Sequence, residues 1–367
     1  MRVLRFASAL SAVILSSAVL PDIAMTETAA SISYETTARP SELSDDFATK
    51  NGVDLRFLAL KAIDGNEIKG ALWQPAGKAP ADTTIVIMIH GSGGSYRRAP
   101  ESALGARLAV KGYAALAIDT RQLDERINTE NFFDVRRDIE AALYTARALG
   151  YRSIVLQGHS LGNIQVQFFA ANNWDKDIKG VMLLGSFSNL PWKTRNILVQ
   201  NEPEFQKLIA AALQAYRDGK MDTPLDVKMQ YFTGQQVPVT AQHFLTCRWS
   251  KSSVADGTMW IKQVPYPVLL VRDQADGLVQ SFEPASLLDA AHSEGSLPAV
   301  SERVSRLPPI RSRIVLFGAI SRAGFAGRSV QNSRSRPSQV LPAGRSVAWF
   351  PRKAPQLAGF LVPSRSL

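Results

Sequence analysis

The sequence predicts an α/β fold: a mostly parallel sheet with helices on both faces. Three observations carry this. Short apolar runs of strand length recur along the chain. Segments with helical spacing alternate with them. Most runs close on a glycine or an aspartate, where a buried strand would turn. Regular alternation of this kind is what a parallel sheet layered by its own crossover helices produces. A chain of 367 residues is long enough for a sizeable core.

The elements follow in order. Residues 1–30 carry Arg2 and Arg5, then an apolar run from Phe6 to Leu20, too short to span a bilayer, then small residues. This pattern predicts a signal peptide and export to a periplasm or beyond, with no stable membrane insertion once it is removed; an uncleaved membrane anchor is the rival reading. Residues 31–52 are polar and read as a linker. "VDLRFLALKAIDGNEIKGALWQP" reads as a hairpin of two apolar-rich strands around Asp64-Gly65. "TTIVIMIH", 83–90, is a buried strand running into a glycine loop. Residues 98–111 read as a helix ending at Gly112, and "YAALAIDT" as a strand closing on Asp119. Residues 133–149 have helical spacing, with Val135, Ile139, Leu143 and Ala146 on one face. "SIVLQ", 153–157, is a strand, and 163–171 is helical. "GVMLLG", 180–185, and "PVLLVR", 267–272, are further strands, and "PASLLDAAHSEG" is a helix. Between Pro191 and Gln263 the pattern loosens into short helical pieces rich in aromatics.

The charge is uneven. Residues 301–367 contain 11 Arg and one Lys against a single acid, Glu302, so the net +10 of the chain belongs to this segment. The segment also holds 11 Ser and 7 Pro, with neither Asp nor His. It reads as an irregular basic tail in which only "RIVLFGAI" could pass for a strand. Two readings compete: a native tail, disordered or meeting acidic partners, and a reading frame shifted near residue 300. Enrichment in Arg, Ser and Pro is what out-of-frame translation of a GC-rich gene gives. Aromatic interleaving for nucleic acid is sparse, so no specific nucleic-acid partner is expected. Cys247 stands alone, and His90, His159, His243 and His292 are scattered, so no metal and no other cofactor is expected.

The chemistry centres on Gly158-His159-Ser160-Leu161-Gly162, a G-x-S-x-G between strand and helix. A serine on so tight a turn projects its oxygen clear of the sheet, and the flanking positions tolerate little beyond glycine. The helix N-terminus beyond it offers N–H groups to a developing oxyanion. "IHGSGGS", "GHSLG" and "LLVRDQADGLV" follow one another, each at a strand end. With them the chain resembles an α/β-hydrolase from about Val53 to Gly295, most like the secreted dienelactone-hydrolase-like, esterase-like and peptidase-like members, with the hydrolase domain taken as residues 53–300. The resemblance implies a serine hydrolase acting on a small carboxylic ester through an acyl-enzyme at Ser160. It assigns the oxyanion N–H groups to Ser92 and Leu161, leaves His90 to buttress their loop, and makes residues 191–263 a helical cap insertion. It places the acid at Asp276, with Asp273 standing where the family usually has glycine. The base histidine should follow one helix and one strand later, in the segment where the composition breaks. His292 follows the acid too closely, and His243 precedes it; both are weak candidates. The implied enzyme is therefore crippled as written, and a non-catalytic binding protein on the same fold is the rival.

Overall fold

The computed structural model describes residues 31–291 and 314–320. The predicted signal segment, His292 and the rest of 301–367 lie outside the described residues. The main sheet has nine strands: β1 (Ser33–Thr37), β2 (Val53–Lys61), β3 (Glu67–Pro75), β4 (Thr84–Ile89), β5 (Ala114–Ile118), β6 (Ser153–His159), β7 (Ile178–Leu184), β10 (Val268–Asp273) and β11 (Ile314–Ile320). Their order across the sheet is β1-β2-β3-β5-β4-β6-β7-β10-β11. The run β5-β4-β6-β7-β10 is parallel throughout. Antiparallel strands flank it on both sides. A separate small ribbon joins β8 (Met229–Gln230) to β9 (Gln236–Val237).

Strand β4 shows why its sequence is apolar without a break. Ile85, Ile87 and Ile89 face one side, and Val86 and Met88 the other. On the first side they meet α2 (Val135–Ala148), α3 (Leu161–Asn172) and α8 (Phe282–Ala291), through residues such as Ile139, Leu143, Val166 and Leu287. On the second side they meet α1 (Glu101–Val110), through Leu104 and Leu108. A strand covered on both faces has no polar side to show. The β2–β3 hairpin pairs from Val53↔Pro75 to Lys61↔Glu67. Gly65 turns it at φ 84°, a left-handed backbone that a side chain would disfavour.

One expectation needs correction. The polar stretch 31–52 is not a loose linker. Its β1 pairs with β2 from Ser33↔Lys61 to Thr37↔Phe57. Phe47 packs beside Phe57 and Trp73, with ring centroids 6.3 and 6.4 Å away. The Trp73 indole N–H donates to the Ala48 carbonyl at 3.3 Å. An edge strand held mainly by its backbone, followed by one anchoring ring, leaves no periodic apolar pattern to read. After residue 300, the one stretch read as a possible strand is a strand: Ile314–Ile320 forms β11 against β10. It runs antiparallel, from Ile314↔Asp273 to Ile320↔Val268.

Residues 191–263 build a small layer with a core of its own. It contains α4 (Leu190–Lys193), α5 (Glu202–Arg217), β8, β9, α6 (Ala241–His243) and α7 (Gly257–Trp260). Phe205, Leu208 and Ala212 form the buried stripe of α5, and pack with Leu198, Met229, Val239 and Phe244. The Asn201 side chain caps α5 by accepting from the Glu204 N–H at 3.1 Å. No helix among the described residues is long and apolar enough to cross a membrane.

A buried ion-pair network ties the hairpin to α2. The Arg121 guanidinium bonds Asp138 at 2.8 Å and Asp64 at 2.9 Å. Burial raises the Asp64 carboxyl, but the hydrogen bond and charge of Arg121 win and hold it near 2, against an ordinary 3.8. A depressed folded value means stability that is complete above pH 3.8 and is lost as pH falls through about 2. Asp64→Asn should therefore flatten the fall of urea stability between those limits. An unchanged acid limb would remove Asp64 from it.

Candidate active site

Strand β6 and helix α3 meet at Ser160, whose φ of 51° and ψ of −119° lie outside the usual regions for a side-chain-bearing residue. Such a conformation costs on the order of 1–3 kcal/mol and persists only where the surroundings impose it. The Ser160 N–H donates to the Leu184 carbonyl at 3.0 Å, and the Asn163 N–H to the Ser160 carbonyl at 2.9 Å. The Asn163 side-chain amide donates to the carbonyls of Leu184 and Gly185, at 2.9 and 2.6 Å. The two glycines are steric necessities. A Cβ on Gly158 would stand 2.3 Å from the Gly162 carbonyl oxygen, and one on Gly162 would stand 2.4 Å from that of Ile89. Gly162→Ala should abolish soluble, folded protein. Gly180→Ala, whose Cβ would meet its nearest atom at 3.4 Å, should leave the yield and circular dichroism near normal. Equal yields of the two variants would contradict this packing.

The loop after β4 lies against the serine. A Cβ on Gly91 would come within 2.8 Å of the Ser160 Cβ and 3.4 Å of its Oγ. Ser92 follows on that loop, and Leu161 opens α3, where its N–H has no partner within the helix. The predicted oxyanion pair thus belongs to two segments that meet at Ser160. His90 is buried beneath the loop. Its Nε2 accepts from the Thr120 backbone N–H at 2.9 Å, so the proton sits on Nδ1, which donates to the Gly91 carbonyl at 2.6 Å. Burial pushes its pKa down and keeps the ring neutral. Asp119, at the end of β5, accepts from the Tyr96 N–H at 2.8 Å, and burial pushes its carboxyl up. From the cap, the Tyr231 hydroxyl donates to the Ser92 carbonyl at 3.0 Å.

Asp276 lies on the loop after β10. Its Oδ1 accepts from the N–H groups of Leu278 and Val279 at 2.8 and 3.0 Å. Its Oδ2 lies 3.9 Å from where a Cβ on Gly185 would project, and the His159 Nε2 lies 4.0 Å from that same point. The two groups therefore flank the residue just after the Leu184 carbonyl that holds Ser160. Asp273 turns inward on its own loop instead, accepting from the Ala275 N–H at 2.8 Å. Sequence reasoning missed Glu101. It is buried at the start of α1, with Oε1 3.3 Å from the His159 Nδ1. A glutamate in the first turn of a helix reads as an ordinary dipole partner, and nothing local marks it as facing the serine turn.

No histidine nitrogen bonds the Ser160 Oγ among the described residues. His243 belongs to the cap core. Its Nδ1 donates to the Glu130 carbonyl at 3.1 Å, and its Nε2 accepts from the Arg248 Nε at 3.1 Å. Burial and then the Arg248 charge hold its pKa well below 6.5. Both nitrogens are occupied, so it has no free lone pair to take a proton from Ser160. His292 lies outside the described residues. Strand β11 begins opposite Asp273 and ends opposite Val268, so the chain leaves it at the sheet edge away from Ser160. A histidine loop delivered to the Asp276 end requires the other direction.

A parallel sheet with a glycine-bracketed serine turn, a glycine loop against it and an aspartate two strands away defines a protein of the α/β-hydrolase class. The chain belongs to the alpha/beta hydrolase fold family, whose model matches residues 84–298. It is 30% identical over 118 residues to the quorum-quenching protein AidA of Acinetobacter baumannii, a match spanning 30% of this chain and 38% of that relative. Among solved structures, the hypothetical protein PA2218 of Pseudomonas aeruginosa is similar at 16% identity and a TM-score of 0.50, covering 70% of this chain and 89% of that one. Est1E of Butyrivibrio proteoclasticus, solved with ferulic acid, gives 20% identity and a TM-score of 0.46, covering 62% and 83%.

Proposed function

We propose that the protein descends from, and retains the site of, a serine hydrolase of small carboxylic esters. The observation that carries this is the Ser160 backbone at φ 51°, fixed between two glycines with the Gly91–Ser92 loop against its side chain. In this reading the Ser160 Oγ attacks the ester carbonyl carbon, its hydroxyl proton passes through solvent to the departing oxygen, and the alcohol leaves, giving an acyl-enzyme that water then cleaves to the acid and free Ser160. The Ser92 and Leu161 N–H groups receive the charge that develops on the carbonyl oxygen. Asp276 is the acid that would orient an imidazole and stabilise its protonated form. A base is what the described residues lack. A fluorophosphonate probe followed by peptide mass mapping should label Ser160 slowly. Ser160→Ala should change the weak p-nitrophenyl acetate turnover of the chain by less than about tenfold, since a hydroxyl without a base is a poor nucleophile. Strong turnover that Ser160→Ala abolishes would show that a base is present.

The second reading, a binding protein on the same fold, is favoured by that same missing nitrogen. Saturable binding of a neutral ester, unaltered on prolonged incubation and never labelling Ser160, would select it.

A further inference from the structure

The glycine loop after β4 is a turn whose peptides on either side of Ser92 are each held. The Gly94 N–H donates to the Gly91 carbonyl at 3.0 Å, which closes the turn with Ser92 and Gly93 at its corners. The Gly91 carbonyl also accepts from the His90 Nδ1 at 2.6 Å. Across a planar trans peptide the N–H points the opposite way, so the Ser92 N–H is turned away from the buried His90 ring. The next peptide, Ser92–Gly93, is gripped at both ends. Its N–H donates to the Gln122 carbonyl at 3.2 Å, and its carbonyl accepts from the Tyr231 hydroxyl at 3.0 Å. Gly93 holds a φ of 62°, and a glycine passes between left- and right-handed backbone at little cost. A corner peptide beside such a residue is able to turn over, which swings ψ of the first corner residue through about 150°. Here that residue is Ser92. The bonds that oppose the flip come from outside the turn: one from the loop after β5, the other from the cap, 139 residues along the chain.

Tyr231 is itself firmly placed. It follows β8 at the closed end of the small ribbon, where its N–H donates to the Gln235 carbonyl and its carbonyl accepts from the Gly234 N–H, both at 2.8 Å. The Phe232 ring packs edge-on against its own, with centroids 5.3 Å apart. Burial pushes the phenol above its ordinary 10, so the hydroxyl keeps the proton that it donates. We propose that Tyr231 is a positioning residue for the serine site: from the cap, its hydroxyl fixes the Ser92–Gly93 peptide, and through it the direction of the Ser92 N–H. This rests on the serine-hydrolase reading, in which that N–H receives the charge developing on the carbonyl oxygen. Tyr231 touches no reacting atom. It acts through Ser92, and it makes the cap a working part of the site as well as its cover.

The test is the rate at which an alkyl fluorophosphonate labels Ser160 in the full chain. The serine oxygen displaces fluoride from phosphorus, the hydroxyl proton goes to solvent, and the phosphoryl oxygen draws on the same N–H donors as an ester would. Removing one such donor outright costs about 10²–10³, so loosening one in Tyr231→Phe should lower kinact by about tenfold and leave KI unchanged. The single lost hydrogen bond should lower Tm by no more than a few degrees. Phe232→Leu is the control. It loosens the same ribbon but keeps the hydroxyl, so kinact should stay at the wild-type value even where Tm falls further. An unchanged kinact in Tyr231→Phe would overturn the proposal while leaving the serine reading intact. Equal slowing by Phe232→Leu would also overturn it, since ribbon packing would then be the cause. Failure of the serine reading looks different: the wild-type chain itself is never labelled at Ser160, and the role proposed for Tyr231 falls with it.

Discussion

A version of this chain whose frame is shifted near codon 300, so that a strand and a histidine follow Asp276, should hydrolyse short p-nitrophenyl esters several orders of magnitude faster than the chain as it stands. Loss of the histidine alone from a serine-protease triad costs on the order of 10⁶ in turnover, about as much as loss of the whole triad. The oxyanion N–H groups and substrate binding still leave about 10³–10⁴ over water. In this protein the loop after Gly91 and the start of α3 at Leu161 both lie against Ser160. Asp276 waits with one oxygen anchored and the other toward Gly185. The shifted reading should encode the histidine about 30 to 60 residues after Asp276, the length of one helix, one strand and their loops. In that version Ser160→Ala should abolish activity. No such histidine in either alternative frame, or no gain on restoring it, would leave the basic segment as native and the binding-protein reading as the better one.

Lys193→Met should destabilise the fold by about 3–5 kcal/mol, because it leaves the Glu283 carboxylate buried without its cation. The two side chains are 2% and 0% exposed and meet at 2.7 Å. Glu283 also accepts from the N–H groups of Ser188 and Gln280, at 3.1 and 2.7 Å. The Lys193 Nζ also donates to the Leu278 carbonyl. The pair thus pins the start of the cap, the end of β7 and the loop that carries Asp276 to one point. The urea midpoint should fall sharply in Lys193→Met, and Lys193→Met combined with Glu283→Gln should recover a substantial part, since no lone charge remains. A double variant as unstable as the single one would mean that packing, and not charge, sets the loss.

Much of the frame was legible because local rules govern it. The β2–β3 hairpin announces itself through Asp64-Gly65, and β4 through its unbroken apolar run. The serine turn is legible because Gly158 and Gly162 are demanded by contacts that no other residue satisfies. Strand β1 was not legible, since its pairing is made by backbone atoms and its residues are mostly exposed. Nor were the buried partnerships. Lys193 and Glu283 stand 90 residues apart, and Arg248 and Asn128 stand 120 apart. Each is an ordinary surface-type residue in its own neighbourhood. Its meaning depends on which distant segment the fold brings over it, and spacing along the chain carries no record of that.

The bonds that impose the backbone of Ser160 come from Leu184, Gly185 and Asn163, and from glycines without side chains. None of them uses the serine hydroxyl. The shape of the turn is therefore inherited separately from its chemistry. A lineage can lose its base, or even the hydroxyl itself, and keep the bend intact for as long as the sheet folds. Within such a lineage the bend dates the architecture, and only the proton acceptor tells whether the enzyme is still at work.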